Sequence, residues 1–251
     1  RPEVAFYDTA GTPAGAVAAY GKAVAEGNDF VLGPLGRDEV AAVFRDAHPT
    51  VPLLALNRTS IAVPSGSASF SLSPEDDGIA AAEFLLARNA KRVLVLTGND
   101  EGMRRAAAAL RDRLAERGGA VVDSLDVGAD ALAFQPRLQA SVQKAGAVDA
   151  VFLAMRASEA RMVAPLLASA GLAGKPRVAT SQLLAGTGKA SEDSALDGIA
   201  YPTEPWTVRG TSGLPASSSV AARLKTARGG GARLFAFGYD AWLLTAYLER
   251  L

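Results

Sequence analysis

Short apolar runs alternate with longer stretches of helical period along the whole chain. Runs at 4–8, 30–35, 53–57, 69–72, 92–97, 121–126, 150–155, 177–181 and 199–201 are rich in Val, Leu, Ile and Phe. That is the pattern of strands buried on both faces. Stretches at 14–26, 37–47, 74–88, 101–117, 135–144, 158–170, 218–227 and 234–251 predict helices. Strand and helix take turns, which points to an α/β protein with parallel sheets and right-handed crossovers.

Local chemistry marks several boundaries. Ser73-Pro74-Glu75-Asp76 sets a capping Ser before Pro at the first helical position, with acids following at the positive helix end. Gly118-Gly119 ends a helix whose last turn carries Arg117, and His48-Pro49 stops another. The last helix shows one apolar stripe through Ala241, Leu244, Leu248 and Leu251. Residues 186–197 read as an exposed Gly- and Ser-rich loop. Residues 201–219, with three prolines and a Trp, read as an irregular connection between domains.

Composition narrows the chemistry. The 251 residues are 49% hydrophobic and 21% charged, enough apolar material for a sizeable core. Twenty-six basic and 26 acidic residues balance, so the overall basic bias of a nucleic-acid or anionic-membrane binder is missing. With no Cys, disulfides, thiol nucleophiles, thiolate zinc sites and iron–sulfur clusters are all excluded. No apolar run approaches the roughly 18 residues of a membrane span. Arg1-Pro2 opens the sequence without a charged-then-apolar leader, from which any signal segment is expected to have been removed.

Catalytic motifs fail on inspection. Around Gly188-Lys189 a phosphate loop would need Gly where Leu183 stands and a hydroxyl where Ala190 stands. Gly33-Pro34-Leu35-Gly36 lacks dinucleotide-loop spacing and reads either as a strand-to-helix turn or as a ligand loop. The single histidine, His48, precedes a Pro at a helix end, and no Gly-x-Ser-x-Gly elbow accompanies it. Glu75-Asp76-Asp77 and Asp100-Glu101 read as helix-dipole compensation rather than metal ligands. No catalytic residue, metal site or cofactor is expected.

The strand ends carry more information. Beyond the carboxyl ends of successive predicted strands stand Gly36-Arg37, Asn57-Arg58-Thr59-Ser60, Gly98-Asn99-Asp100-Glu101, Arg156 and Ser181-Gln182. Gathered at one edge, such groups suit a small polar molecule or a partner loop. Solvated loops are polar for their own reasons, and that alternative stays open.

Three segments together resemble one family. Phe30-Val31-Leu32-Gly33-Pro34-Leu35, then Val51-Pro52-Leu53-Leu54-Ala55-Leu56-Asn57, then Phe70-Ser71-Leu72-Ser73-Pro74-Glu75-Asp76 are similar to the LppC/LpoA lipoprotein family, and Phe237-Gly238-Tyr239-Asp240-Ala241 fits it too. The resemblance implies a two-lobed type I periplasmic-binding-protein-like fold, each lobe a parallel sheet flanked by helices. It also implies a non-enzymatic periplasmic module of an outer-membrane lipoprotein that binds and activates a class A penicillin-binding protein, a peptidoglycan synthase. The lipid anchor is expected outside these residues.

Within that frame, lobe one is expected at 1–97 plus 206–251 and lobe two at 98–205. A type I lobe usually has one more strand before the segment matching 4–8, so its place is expected to be filled by another segment, a partner or a changed strand order. The alternative function is a solute receptor for an amino acid or other small polar metabolite held between the lobes. Its ligand candidates are Gly36, Arg37, Asn57, Arg58, Thr59, Glu101, Arg156, Ser181 and Gln182, with Arg58 or Arg156 pairing a carboxylate. Trp206 and Arg209 are the candidates for a partner surface.

Overall fold

The computed structural model describes residues 3–128, 130–184 and 190–247. The chain divides into two compact units, one of residues 1–73 with 235–251, the other of residues 74–234.

The first unit begins with residues 3–8, which lie outside any helix or strand. Helix α1 (Pro13–Ala25) starts where Thr12 Oγ1 accepts the Gly15 N–H at 3.0 Å, with Pro13 at the position where a missing N–H costs nothing. Strand β1 (Val31–Leu32), helix α2 (Arg37–Ala42), a π-helical turn (Val43–Ala47), β2 (Leu53–Ala55) and β3 (Ser67–Ser69) follow. The three strands form a parallel sheet in the order β1-β2-β3. Leu53 and Ala55 pack on one face against Ala16, Tyr20, Val40, Val43 and Phe44. Leu54 on the other face meets Phe30, Phe70 and Ala241, and Phe70 stacks on Phe237 with ring centroids 4.8 Å apart.

The expected strand at 4–8 does not form. A strand needs a neighbour to take its backbone hydrogen bonds. Among the described residues β1 is bonded to β2 alone; its other edge stays open, and residues 4–8 do not pair with it. Phe6 stands 92% exposed.

The second unit is a doubly wound sheet. Its elements are α3 (Pro74–Leu86), β4 (Arg92–Thr97), α4 (Glu101–Glu116), β5 (Ala120–Asp126), α5 (Ala131–Ala145), β6 (Ala150–Ala154), α6 (Ala157–Leu167), β7 (Arg177–Ala179) and β8 (Ile199–Ala200). Short helix α7 (Ala190–Asp193) lies between β7 and β8, α8 (Pro205–Arg209) and α9 (Ser217–Arg223) follow β8, and α10 (Gly230–Thr245) starts in this unit and continues into the first. All strands are parallel, in the order β5-β4-β6-β7-β8. Successive residues of β4 and β6 point to opposite faces, so both faces are buried. Val93, Val95, Phe152 and Ala154 lie under α3 and α4. Leu94, Leu96, Val151 and Leu153 lie under α5 and α6, with Phe134, Leu138 and Val163. Gly118, at φ +74°, closes α4 and lets the Gly119 N–H reach Leu114 O at 2.8 Å.

The strand order moves the expected lobe boundary. The sequence places residues 92–97 with lobe one, but β4 hydrogen-bonds to both β5 and β6 and lies inside the second sheet. The passages from one unit to the other fall at 73/74 and 234/235, so residues 74–97 and 206–234 belong with the second unit. The expected loop at 186–197 carries α7 and a 3₁₀ turn (Ser194–Leu196), while its residues 186–189 lie outside the described ones, as do Leu248 and Leu251 of the last apolar stripe.

Candidate functional site

Each sheet presents loops at the carboxyl ends of its strands, where open parallel sheets place their ligands. In the first unit, Gly36 caps α2 and Arg37 opens it, exposed. Asn57 Nδ2 donates to Leu35 O at 2.9 Å and its Oδ1 accepts the Arg58 N–H at 2.9 Å. Asn57 therefore ties the loop after β2 to the loop after β1. Thr59 Oγ1 accepts the Ile61 N–H at 2.8 Å and shapes the next turn. Arg58 is exposed.

In the second unit, winding reverses at β4 and β6, which makes the crevice beyond them the topological switch point. Side chains of this chain cross it. Arg156 Nη2 donates to Asp100 Oδ2 at 2.8 Å. Glu159 Oε2 accepts the Arg156 N–H at 2.9 Å, and the same carboxylate lies over Gly98, where a β-carbon would stand 2.6 Å from that oxygen. Asp100 also caps α4 by accepting the Gly102 N–H at 2.8 Å. The Arg156 hydrogen bond, helped by the Gly102 N–H, holds the Asp100 carboxyl below the usual carboxylate range despite partial burial. Glu101, exposed, pairs with Arg105 one turn on, and Arg105 Nε lies 2.9 Å from Glu75 as well.

Ser181 lies deeper than a ligand contact would. Its N–H and Oγ donate to Asp77 Oδ2 at 3.0 and 2.6 Å, both buried. Asp77 Oδ1 accepts from Arg233 Nη2 at 3.2 Å. Arg233 Nε lies 3.9 Å from Glu204 Oε2, and Glu204 Oε1 is buried with no hydrogen-bond partner. The sequence reading of Asp77 as a dipole-compensating acid missed this role. Its partners lie 104 and 156 residues away, beyond any local signal. Gln182, next in the chain, is exposed.

Of the strand-end candidates, Asn57, Thr59, Arg156 and Ser181 thus spend their hydrogen bonds on the chain itself. Arg37, Arg58, Glu101 and Gln182 face solvent. His48 is exposed with φ +46° at the end of the π-helical turn that carries Asp46. Among the described residues no cluster of three or more His, Cys, Asp or Glu could hold a metal ion, and no helix is long and apolar enough to cross a membrane.

The two partner-surface candidates separate. Trp206 is 3% exposed, and its Nε1 donates to Pro215 O at 2.8 Å. Its burial, with the N–H satisfied by Pro215 O, ties α8 to the turn before α9. Arg209 remains exposed beside Val208, which is 72% exposed.

A model of the family described as LppC putative lipoprotein matches residues 1–251. No curated protein matches the sequence. Among solved structures, the C-domain of LpoA (YraM) from Haemophilus influenzae, a regulator of PBP1A, superposes with a TM-score of 0.76 at 18% identity, over 94% of this chain and 73% of that one. Full-length LpoA from the same organism gives 0.74 at 18%, over 94% of this chain and 43% of the longer one. A protein described as a putative branched-chain amino acid ABC transporter from Chromobacterium violaceum gives 0.67 at 28%, over 92% and 72%. These likenesses show a periplasmic-binding-protein-like fold, the one the sequence resemblance implied.

Proposed function

Because the chain belongs to the LppC putative lipoprotein family, we propose that it is a non-enzymatic periplasmic module that binds and stimulates a class A penicillin-binding protein during peptidoglycan synthesis. Its place is the inner face of the outer membrane, held by a lipid anchor elsewhere in the whole protein. LpoA, whose C-domain shares the fold, regulates PBP1A, and the fold alone does not decide between a regulator and a solute receptor.

One observation favours the regulator. At the switch point of the second sheet, Arg156, the residue suited to a ligand carboxylate, is already paired with Asp100 across the crevice. A buried or half-buried ligand site needs convergent groups left free for the guest. Ser181, a second such group, is spent on Asp77.

For the docking surface, α8 offers an apolar and a cationic group side by side, Val208 and Arg209, on a turn fixed from beneath by Trp206. Exposed anchors of this kind carry interface energy when a partner desolvates them. With the formal charge balanced, long-range steering is weak and docking changes little with salt.

The test is a pull-down and a glycan-polymerisation assay with the cognate class A synthase, alongside calorimetry against a panel of amino acids and related metabolites. The expected result is synthase binding, a raised polymerisation rate and flat calorimetric traces. Val208→Asp and Arg209→Glu are each expected to weaken binding about tenfold or more. Micromolar binding of one metabolite with no effect on the synthase would reverse the assignment to a receptor. Normal binding by both variants would move the interface elsewhere on the module.

A further inference from the structure

The chain enters the second unit at Pro74 and leaves it after Leu234. Asp77 lies in the first turn of α3, three residues past the entry. Arg233 lies in the first turn of α10, one residue before the last residue of the unit. These two side chains form an ion pair 3.2 Å long, although 156 residues separate them in sequence. Asp77 is 5% exposed, and its second oxygen is filled by the Ser181 N–H and hydroxyl just beyond β7. Glu204, the residue before α8, supplies a second carboxylate beside Arg233.

We infer that Asp77, Arg233 and Ser181 form a clasp that binds both chain passages of the second unit to the end of its sheet, so that entry and exit behave as one mechanical piece. Three points carry it. First, the ionic partners come from the only two places where the described chain passes out of this unit. Second, three donors converge on one buried carboxylate: Oδ2 takes two and Oδ1 takes the guanidinium, so that removing Arg233 leaves the Asp77 charge without this cationic partner. Third, Ser181 immediately follows Thr180, itself buried and anchored at the end of β7 through an N–H bond to Leu153 O. The clasp is thereby fastened to the sheet rather than to another loop.

The inference is independent of what the module binds. Ordinary helix-start acids compensate the dipole from the surface. Glu75 and Asp76 have that position in α3, whereas Asp77 is turned inward. A clasp of this kind predicts that damage at one passage is felt at the other.

The experiment is hydrogen exchange with peptide-level mass spectrometry on the whole chain, comparing the native protein with Arg233→Gln, Asp77→Asn and the double variant. Asn at 77 still accepts from Ser181 and isolates the guanidinium contact. Arg233→Gln is expected to speed exchange on the order of tenfold or more around 74–80 and 181–184 as well as at 230–235. Asp77→Asn is expected to do the same at 230–235. The double variant should exceed the single variants by little, since both remove one interaction. Should either variant prove too unstable, Arg233→Lys keeps the charge with poorer geometry and should produce the same pattern in weaker form. Faster exchange confined to the turn that carries each substitution, or effects that simply add in the double variant, would overturn the clasp.

Discussion

Gly78 of α3 rests against the backbone of α4 so closely that a β-carbon built on it would stand 2.1 Å from Ala106 O. Both residues are buried, and the small side chains around them, Ala81, Ala82, Ala106 and Ala107, allow the two helices to lie side by side on one face of the second sheet. The approach sets the spacing of that helix layer, because the obstacle is backbone and cannot rotate away.

Gly78→Ala should therefore destabilise the chain, although Ala is the better helix former by about 1 kcal/mol. Overpacking against a fixed carbonyl outweighs that gain, and a net loss of about 2 kcal/mol is expected. Urea unfolding followed by far-UV circular dichroism would read it as a lowered midpoint at unchanged slope. A raised midpoint would mean that α3 and α4 part at little cost.

Tyr20 holds the turn after the π-helical segment. Its phenol oxygen accepts the Thr50 and Val51 N–H groups, each at 3.0 Å, and donates to Val51 O at 3.0 Å. Tyr20→Phe leaves two backbone donors without their acceptor. A loss of about 2 kcal/mol is expected, measured by the same unfolding curve. Amides 50 and 51 should lose exchange protection first.

Trp206 gives a graded pair of variants. Trp206→Phe keeps most of the buried ring and drops the hydrogen bond to Pro215 O, with an expected loss of about 1 kcal/mol. Trp206→Ala removes the ring itself and should cost about 3–5 kcal/mol. If both variants cost the same, the packing of the indole contributes nothing and α8 is held by something else.

Acid stability should depend on Asp123. Ser141 Oγ donates to its Oδ2 at 2.6 Å, and this bond, with smaller help from the Ser124 N–H and Lys144, lowers its pKa below the usual value. A carboxyl whose folded pKa lies below its unfolded one adds stability above the unfolded value, near 4, and loses it as the pH falls through the folded pKa. Ser141→Ala should raise the Asp123 pKa toward the unfolded value in an NMR titration. The stability gap between variant and native protein should be full at pH 6 and shrink below about pH 4. A gap that stayed constant down to pH 2 would assign the effect of Ser141 to packing.

Much of this architecture can be read from residue order. Residues 92–97 are bounded correctly because Arg-Val-Leu-Val-Leu-Thr is apolar on both faces and flanked by polar turns. The Ser73-Pro74 start of α3 is likewise local chemistry and falls where the sequence puts it. What escapes is whatever depends on a distant neighbour. Residues 4–8 have strand composition and no ladder. The spacing predicts a helix over 135–144, yet α5 begins at Ala131 and carries Pro136 inside, after its first turn. The lobe boundary fails for the same reason, since only the pairing of β4 with β6 reveals to which sheet β4 belongs.

The strand-end candidates show the limit most clearly. Residue type identifies Asn57, Arg156 and Ser181 as capable donors, and the structure uses all three as donors. Their acceptors are Leu35 O, Asp100 and Asp77 of the same chain. Donor chemistry is visible in a sequence, whereas the identity of the acceptor is a property of the fold. Trp206 is the converse case: a Trp in an irregular, proline-containing segment looks available, and the burial that removes it is tertiary.

The fastening of α8 bears on the thermodynamics of any encounter there. A loop that orders only on contact gives up backbone freedom worth about 1–2 kcal/mol per residue when it docks. Here the indole is already packed and its N–H already engaged with Pro215 O, so the turn bearing Val208 and Arg209 has surrendered that freedom during folding. A partner landing on it would immobilise mainly the Arg209 side chain. Association at this turn should consequently show a small entropic penalty and a heat-capacity change set by the apolar area it covers.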